Sequence, residues 1–241
     1  MIRIFNDREQ VSTAAADLFV QAAKESIGRK GSFTVALTGG TSPVAMHKLL
    51  TLPAYAGQVD WDKVFVFWGD ERWVPLDDPK SNAGMAYETL LDQVPVPAEN
   101  VFPMWSAEHT PEQYAGVYEQ LIKEKVRRDG RFDLILLGMG DDGHTASLFP
   151  GTAVLNETTK WVDAYYLEPQ SMHRITLTAP LINRAERIVF MVYGAGKAPA
   201  LREVLEGERN TVVYPAQLIS PVNGEVVWLA DRAAATALSV V

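Results

Sequence analysis

Residues 132–151 read FDLILLGMGDDGHTASLFPG, and this stretch decides the fold. It opens with the mainly apolar run 132–137, which suits a strand buried on both faces and therefore a parallel sheet flanked by helices. Glycines then allow a tight turn, and Asp141, Asp142 and His144 follow where the strand would leave the sheet. Because ligands of open α/β sheets bind outside the carboxyl ends of the strands, this turn is a candidate functional site.

The spacing of Asp142 and His144 indicates a general base oriented by a carboxylate. The alternative is an ordinary structural turn, since Asp and Gly commonly follow strands. An imidazole two residues after a carboxylate on a glycine-rich turn favours function over that alternative. The same stretch also satisfies the dinucleotide fingerprint G-x-G-x-x-G. We discount that match, because two aspartates would face the pyrophosphate and residues 150–151, Pro-Gly, would interrupt the helix that should follow.

The composition indicates a globular enzyme. The chain has 241 residues, of which 47% are hydrophobic and 22% charged, and we expect one domain over 1–241. The formal charge of −8 disfavours nucleic acid as a partner. With no cysteine, disulfides and thiolate catalysis are excluded. The charged amino terminus and the lack of a long apolar run predict neither a signal peptide nor membrane association, so we expect a cytoplasmic protein. As a separate expectation, the protein is a monomer or a weak homo-oligomer.

Alternating strands and helices extend the pattern along the chain. Strands are predicted at 2–5, 33–37, 64–68, 132–137, 161–166, 174–178, 188–193 and 225–230. A first helix is predicted from a cap at Asn6 or Asp7 to a stop at Gly28. Further helices are predicted at 44–50, 82–91, 110–128, 180–184 and 198–206, with a last one capped by Asp231. Several strands end in polar, glycine-containing loops, and the carboxyl ends of parallel strands share one edge of a sheet. Loops distant in sequence are therefore expected to form one cleft.

Two of these loops have the features of an anion site. After strand 33–37, Gly39 and Gly40 permit close approach of the backbone, Thr41 and Ser42 add hydroxyls, and a helix amino terminus offers free N–H groups. The alternative is a tight turn in which Ser42 caps the helix. After strand 188–193, Lys197 is placed to meet an anion as a point charge, because cations avoid helix amino termini unless a negative group lies nearby.

Five ordered motifs carry a family resemblance: GGTSP at 39–43, WGDERWVP at 68–75, GMGDDGHTASLFPG at 138–151, RITLTAPLINRA at 174–185 and GAGKA at 194–198. In this order, across nearly the full chain, they resemble the 6-phosphogluconolactonases. The resemblance implies a fold related to glucosamine-6-phosphate deaminase and ribose-5-phosphate isomerase. It also implies hydrolysis of 6-phospho-D-glucono-1,5-lactone to 6-phosphogluconate in the pentose phosphate pathway, without a metal or organic cofactor.

The resemblance assigns roles to residues of this chain. It makes His144 the catalytic base, with Asp142 beside it and Asp70 in the substrate-facing loop as a further catalytic group. Binding of the 6-phosphate or the sugar hydroxyls falls to Gly39, Gly40, Thr41, Ser42, Arg72, Arg174 and Lys197.

Three alternatives differ in the class of protein. A sugar-phosphate deaminase would have a glutamate a few residues after the histidine, where this chain has Ser-Leu-Phe-Pro at 147–150. A non-catalytic sugar-phosphate sensor would usually carry a DNA-binding module, and no basic helical segment is present for one. A metal-dependent hydrolase could use Asp70, Asp142 and His144 as ligands.

Overall fold

The computed structural model of the protein describes residues 1–126 and 129–239. Its strands are β1 (Ile2–Phe5), β2 (Phe33–Leu37), β3 (Val64–Trp68), β4 (Asp70–Arg72), β5 (Leu134–Gly138), β6 (Val162–Leu167), β7 (Met172–Leu177), β8 (Arg187–Val192) and β9 (Glu225–Asp231). Its α-helices are α1 (Arg8–Lys30), α2 (Val44–Thr51), α3 (Pro53–Ala56), α4 (Asn82–Thr89), α5 (Pro111–Lys125), α6 (Ala179–Ile182), α7 (Ala198–Glu206) and α8 (Arg232–Ala235).

The main sheet is parallel throughout. In the described part of the chain its six strands lie in the order β1-β9-β8-β5-β2-β3, and every neighbouring pair is parallel. From β2 the chain continues to β3 on one side, whereas from β5 it continues to β8 on the other. The crevice between the carboxyl ends of β2 and β5 is therefore the topological switch point, where α/β sheets bind their ligands. The predicted α/β class, with a mainly parallel sheet flanked by helices, is confirmed.

Aromatic side chains show that helices cover both faces of this sheet. Phe33 pairs in register with Val64 and Ala36 with Phe67, so Phe33 and Phe67 point to opposite faces. Phe19 of α1 packs edge-on against Phe33, with ring centroids 5.3 Å apart. Tyr118 of α5 packs against Phe67 at 6.0 Å. The sheet is thus the middle layer, which leaves its carboxyl edge as the open side.

The structure has a second, antiparallel sheet, whereas the sequence predicted that the strand ends lie along one edge of a mainly parallel sheet. Strands β4, β7 and β6 form it in that order, and Asp70 pairs with Thr176. The short strand β4 was not predicted, because its three polar residues have no apolar alternation. This sheet places Asp70 and Arg174 beside the carboxyl edge of the main sheet.

Several helix boundaries also differ from the predictions: α4 ends at Thr89 rather than at 91, and α6 spans Ala179–Ile182 rather than 180–184. Helix α1 continues through Gly28 to Lys30, and Gly31, with φ of +80°, ends it in the left-handed conformation. Helix α5 ends at Lys125, and the predicted end at Arg128 lies outside the described residues. None of the helices in 1–126 and 129–239 is long and apolar enough to cross a membrane.

Candidate active site

The loops that follow β2, β3, β5 and β8 form one cleft of about 240 Å³ at the switch point. This volume is somewhat below the usual range for drug-sized ligands, about 300–1,000 Å³, which suits a single phosphosugar. Its lining contains all the predicted site residues except Asp142, and it comprises Thr38, Gly39, Gly40, Thr41, Ser42, Asp70, Arg72, Asn82, Gly138, Met139, Gly140, His144, Ala146, Arg174 and Lys197. The expectation that distant loops meet in one cleft is therefore met by the fold.

The turn after β5 holds His144 against Asp142. The imidazole Nδ1 lies 2.5 Å from Asp142 Oδ1, and the same oxygen accepts a hydrogen bond from the His144 backbone N–H at 3.1 Å. Gly140 N–H donates to the His144 carbonyl at 2.8 Å, which closes the turn. A Cβ on Gly140 would lie only 2.1 Å from His144 Nδ1, so glycine is required there.

The contact with His144 changes the pKa of Asp142. Partial burial alone would raise the pKa of Asp142, but the hydrogen bond and the charge of His144 outweigh it and hold that pKa below its usual value. An ionised Asp142 keeps the Nδ1 proton of His144 in place. This leaves Nε2 as the nitrogen that can accept a proton in the cleft.

Phe149 supports the imidazole from one side, a role that was not recognised in the sequence. Its ring stacks on His144 with centroids 4.0 Å apart and 24° between the planes. The guanidinium of Arg174 lies 5.7 Å from the same ring. Phe149 therefore fixes the plane of the His144 ring. The sequence signal was only its place five residues after the histidine.

Asp70 and Arg174 form a buried ion pair with Ser147. Asp70 Oδ2 accepts from Arg174 Nη2 at 2.8 Å and from Ser147 Oγ at 2.6 Å, while Arg174 Nε donates to Ser147 Oγ at 2.8 Å. The Arg174 and Asp70 side chains are 4% and 7% exposed. In the sequence, Ser147 was noted only as one of the residues that stand where a deaminase would have a glutamate. Its role depends on a partner 77 residues away, which no local pattern reveals.

Glu71 anchors strand β4, which ends at Arg72. Its carboxylate accepts hydrogen bonds from the backbone N–H groups of Arg72, Asn82 and Ala83 and from the Ser81 hydroxyl. Burial raises the pKa of Glu71 to about 7, although the backbone hydrogen bonds act in the opposite direction. Glu71 was not among the predicted site residues. It ties the start of α4 to β4 and so sets the place of Arg72 in the cleft.

Arg72 lines the cleft and has a buried donor without a partner in the described part of the chain. Its Nη1 donates to the Lys80 carbonyl at 2.9 Å, and its buried Nε has no hydrogen-bond partner among the residues that the structure describes. A buried donor without a partner is costly, so this nitrogen is suited to a ligand oxygen.

The loop 38–43 is built for close approach to an anion. Gly40 has φ of +71°, and a Cβ on Gly39 would overlap Asn82, lying 1.9 Å from its Oδ1. The Arg8 guanidinium donates to the Thr41 carbonyl, and Tyr193 Oη donates to the Ser42 carbonyl at 3.3 Å. These two hydrogen bonds fix the Thr41 and Ser42 carbonyls, and so fix the course of the loop beside the cleft.

The structure contradicts the alternative in which Ser42 caps the following helix. Helix α2 begins after Pro43, and no side chain makes a capping hydrogen bond there. The hydroxyl of Ser42 instead belongs to the lining of the cleft. This leaves the loop available for a ligand.

Lys197 meets a carboxylate of the protein itself. Its Nζ lies 2.6 Å from Asp141 Oδ1. The loops that carry the two residues are neighbours because β5 and β8 pair directly. The negative group expected near this lysine is thus Asp141.

The residues considered as metal ligands do not form one cluster. Asp70 is bound to Arg174 and Ser147, whereas Asp142 is bound to His144. Over 1–126 and 129–239, no three His, Asp or Glu side chains come together in a way that could hold a metal ion.

Comparisons with known proteins define the family. The model of the family described as "Glucosamine-6-phosphate isomerases/6-phosphogluconolactonase" matches residues 6–228. A 6-phosphogluconolactonase of Synechocystis sp. is 43% identical to this chain over 214 residues, which cover 87% of this chain and 86% of the relative. The chain belongs to this family, and the family predicted from the five motifs is confirmed.

Solved structures agree on the fold. The 6-phosphogluconolactonase of Trypanosoma brucei has a TM-score of 0.85 and 26% identity, with 99% of this chain and 98% of that chain covered. A monomeric glucosamine-6-phosphate deaminase has a TM-score of 0.84 at 22% identity, covering 98% of this chain and 99% of its own. The second likeness concerns the fold alone. Together they confirm the predicted relation to the deaminase fold.

Proposed function

We propose that the protein hydrolyses 6-phospho-D-glucono-1,5-lactone to 6-phospho-D-gluconate, with His144 as the general base that activates water. This is the reaction of the oxidative pentose phosphate pathway for which the Synechocystis and Trypanosoma relatives are named. The observation that carries the proposal is the pair of His144 and Asp142, which opens on the same cleft as the loop 38–43 and Lys197. A base and an anion cradle in one cleft suit a phosphorylated lactone.

The pair can perform both proton transfers of lactone hydrolysis. His144 Nε2 takes a proton from water as the water oxygen bonds to C1, which produces a tetrahedral oxyanion. The resulting imidazolium is stabilised by Asp142 and returns the proton to the ring oxygen as the bond from C1 to that oxygen breaks. The products are a hydroxyl group and a carboxylic acid, which loses its proton to solvent and becomes the carboxylate, and His144 is neutral again at the end of the cycle.

Arg72 is the proposed donor to the developing oxyanion. Its buried Nε has no partner within the described residues, and its Nη1 is fixed by Lys80. A donor that is already oriented stabilises new charge without reorganisation, which is the usual origin of oxyanion stabilisation.

Phosphate binding supplies orientation. The N–H groups and hydroxyls of the loop 38–43 and the ammonium of Lys197 would hold the 6-phosphate, far from the reacting carbon. Such remote binding energy fixes the geometry of attack. Asp70 and Arg174, which are buried against each other, would then act by shaping the wall beside His144 rather than by transferring protons.

The test is hydrolysis of freshly prepared 6-phosphogluconolactone, with the product coupled to 6-phosphogluconate dehydrogenase and the spontaneous rate subtracted. We expect His144→Ala to lower kcat by about 10² or more, with little change in KM. His109→Ala, at a histidine outside the cleft lining, is the matched control and should leave both constants unchanged. An unchanged kcat in His144→Ala would refute the base.

Further arms of the same assay separate the other classes of function. Ammonia release from glucosamine 6-phosphate would favour a deaminase, and tight binding of 6-phosphogluconate without turnover would favour a sensor. Activity that is lost in EDTA and restored by a divalent cation would favour a metal-dependent hydrolase. The proposed function requires lactone hydrolysis at full rate in EDTA.

A further inference from the structure

Lys197, whose ammonium group is proposed to bind the substrate phosphate, forms an ion pair with Asp141 in the free protein. Lys197 Nζ lies 2.6 Å from Asp141 Oδ1, and the side chains are 27% and 73% exposed. Lys197 lines the same cleft as the loop 38–43, whereas Asp141 is outside the lining. The carboxylate therefore approaches the ammonium from the solvent side of the cleft.

The position of Lys197 explains why it holds an anion. It is the residue directly before α7, where the positive end of the helix dipole disfavours a cation. A negative group nearby removes that penalty, and in the free protein Asp141 supplies it. Gly196 lies in the same contact, since a Cβ there would be 3.6 Å from Asp141 Oδ2.

We propose that Asp141 is an internal competitor for the phosphate site, which sets the affinity for phosphorylated ligands by holding Lys197 until a phosphate displaces it. The proposal rests on the proposed function, because that function puts the 6-phosphate on Lys197. A phosphate oxygen can bind Nζ only at the expense of Asp141 Oδ1 or by sharing the ammonium with it. The Asp141 side chain is already mostly exposed, so its hydration changes little when the carboxylate leaves Lys197.

The competition acts equally on substrate and product, because both carry the 6-phosphate. It weakens uniform binding and leaves the chemical step at His144 unaffected. It also gives Lys197 an anion to return to when the product leaves. Asp141 thus favours turnover at high substrate concentration over tight retention of phosphogluconate.

The test is calorimetric titration of 6-phosphogluconate into four forms of the full chain: wild type, Asp141→Asn, Lys197→Met and the double variant. A largely exposed ion pair is worth little, so we expect Asp141→Asn to lower Kd about two- to five-fold. Gluconate, which has no phosphate, should bind the wild type and Asp141→Asn equally. In the Lys197→Met background, Asp141→Asn should have no effect on Kd.

The control for general electrostatics is Asp62→Asn. Asp62 is exposed and lies just before β3, at the opposite edge of the sheet, and the variant makes the same change of charge. It should leave Kd unchanged.

Each other outcome overturns the proposal in a distinguishable way. A Kd for Asp141→Asn that is higher than or equal to the wild-type value would mean that Asp141 orients Lys197 rather than competes for it. Equal tightening in the Lys197→Met background would mean a long-range charge effect. An unchanged Kd in Lys197→Met alone would remove Lys197 from the phosphate site, and would then contradict the binding part of the proposed function as well.

Discussion

The imidazole Nδ1 of His144 lies 2.5 Å from Asp142 Oδ1, although the two residues are separated by only one glycine. The contact is possible because Gly143 has φ of +77°, which folds the chain back so that both side chains leave the turn on the same side. The imidazole is therefore oriented locally, by its own turn. A carboxylate that acts on a histidine in this way fixes its tautomer and favours its protonated form during the reaction.

Replacement of Asp142 by Asn tests this orientation. The carboxamide keeps the shape but carries no charge to stabilise the imidazolium, so we expect kcat to fall by about 10² with KM changed by less than about three-fold. Steady-state kinetics of lactone hydrolysis measure both constants. Asp62→Asn is the matched control at the far edge of the sheet. Should Asp142→Asn raise KM and leave kcat intact, Asp142 would be a binding group instead.

Replacement of Arg174 by Met tests the buried ion pair. Asp70 would keep only the Ser147 hydroxyl as a side-chain partner, and an uncompensated buried charge typically costs about 3–5 kcal/mol of unfolding free energy. Urea denaturation measures the loss, and the double variant Asp70→Asn/Arg174→Met should be more stable than Arg174→Met alone. The comparison pair is Lys63 and Asp60, 2.7 Å apart and about half exposed, where Lys63→Met should cost much less. Equal losses at the two pairs would contradict the assignment of a structural role.

The sequence predicted the core strands well because their signal is local. The apolar runs of β2 and β3 coincide with the predicted bounds, and their glycine-rich ends mark the cleft. The second sheet has no such signal, since β4 is a three-residue polar strand whose Asp70 pairs with Thr176. The same reason hid the roles of Ser147 and Glu71, whose partners are distant in sequence or are backbone groups. That the chain forms one domain stays a prediction.

Helix α1 was predicted to end at Gly28 but continues to Lys30 and is ended by Gly31. The two glycines give a prediction on stability. Gly28 lies inside the helix with nothing within 4 Å of its missing Cβ, whereas Gly31 has φ of +80°. We expect Gly28→Ala to raise the unfolding free energy by roughly 0.5–1 kcal/mol through lower backbone entropy. Gly31→Ala should lower it by about 1 kcal/mol, because alanine is strained in the left-handed region. Thermal and urea unfolding check both, and a stabilising Gly31→Ala would place the end of the helix elsewhere.

His47 predicts how stability depends on pH. It is a fully buried residue of α2, its Nδ1 lies 2.8 Å from Oγ1 of Thr89 in α4, and its Nε2 has no partner within the described residues. Burial lowers the pKa of His47 to about 4, from 6.5. Between these values the unfolded chain takes up a proton that the folded protein does not bind, so His47 stabilises the fold above pH 6.5 and this contribution is lost as pH falls toward 4. From pH 7.5 to 5.5 the loss is about 1 kcal/mol. His47→Asn can keep the bond to Thr89 but does not titrate. Urea denaturation at pH 7.5 and pH 5.5 measures the fall in unfolding free energy between the two values. We expect this fall to be smaller in the variant than in the wild type by about 1 kcal/mol. Parallel pH profiles for the two proteins would show that His47 is not the residue responsible.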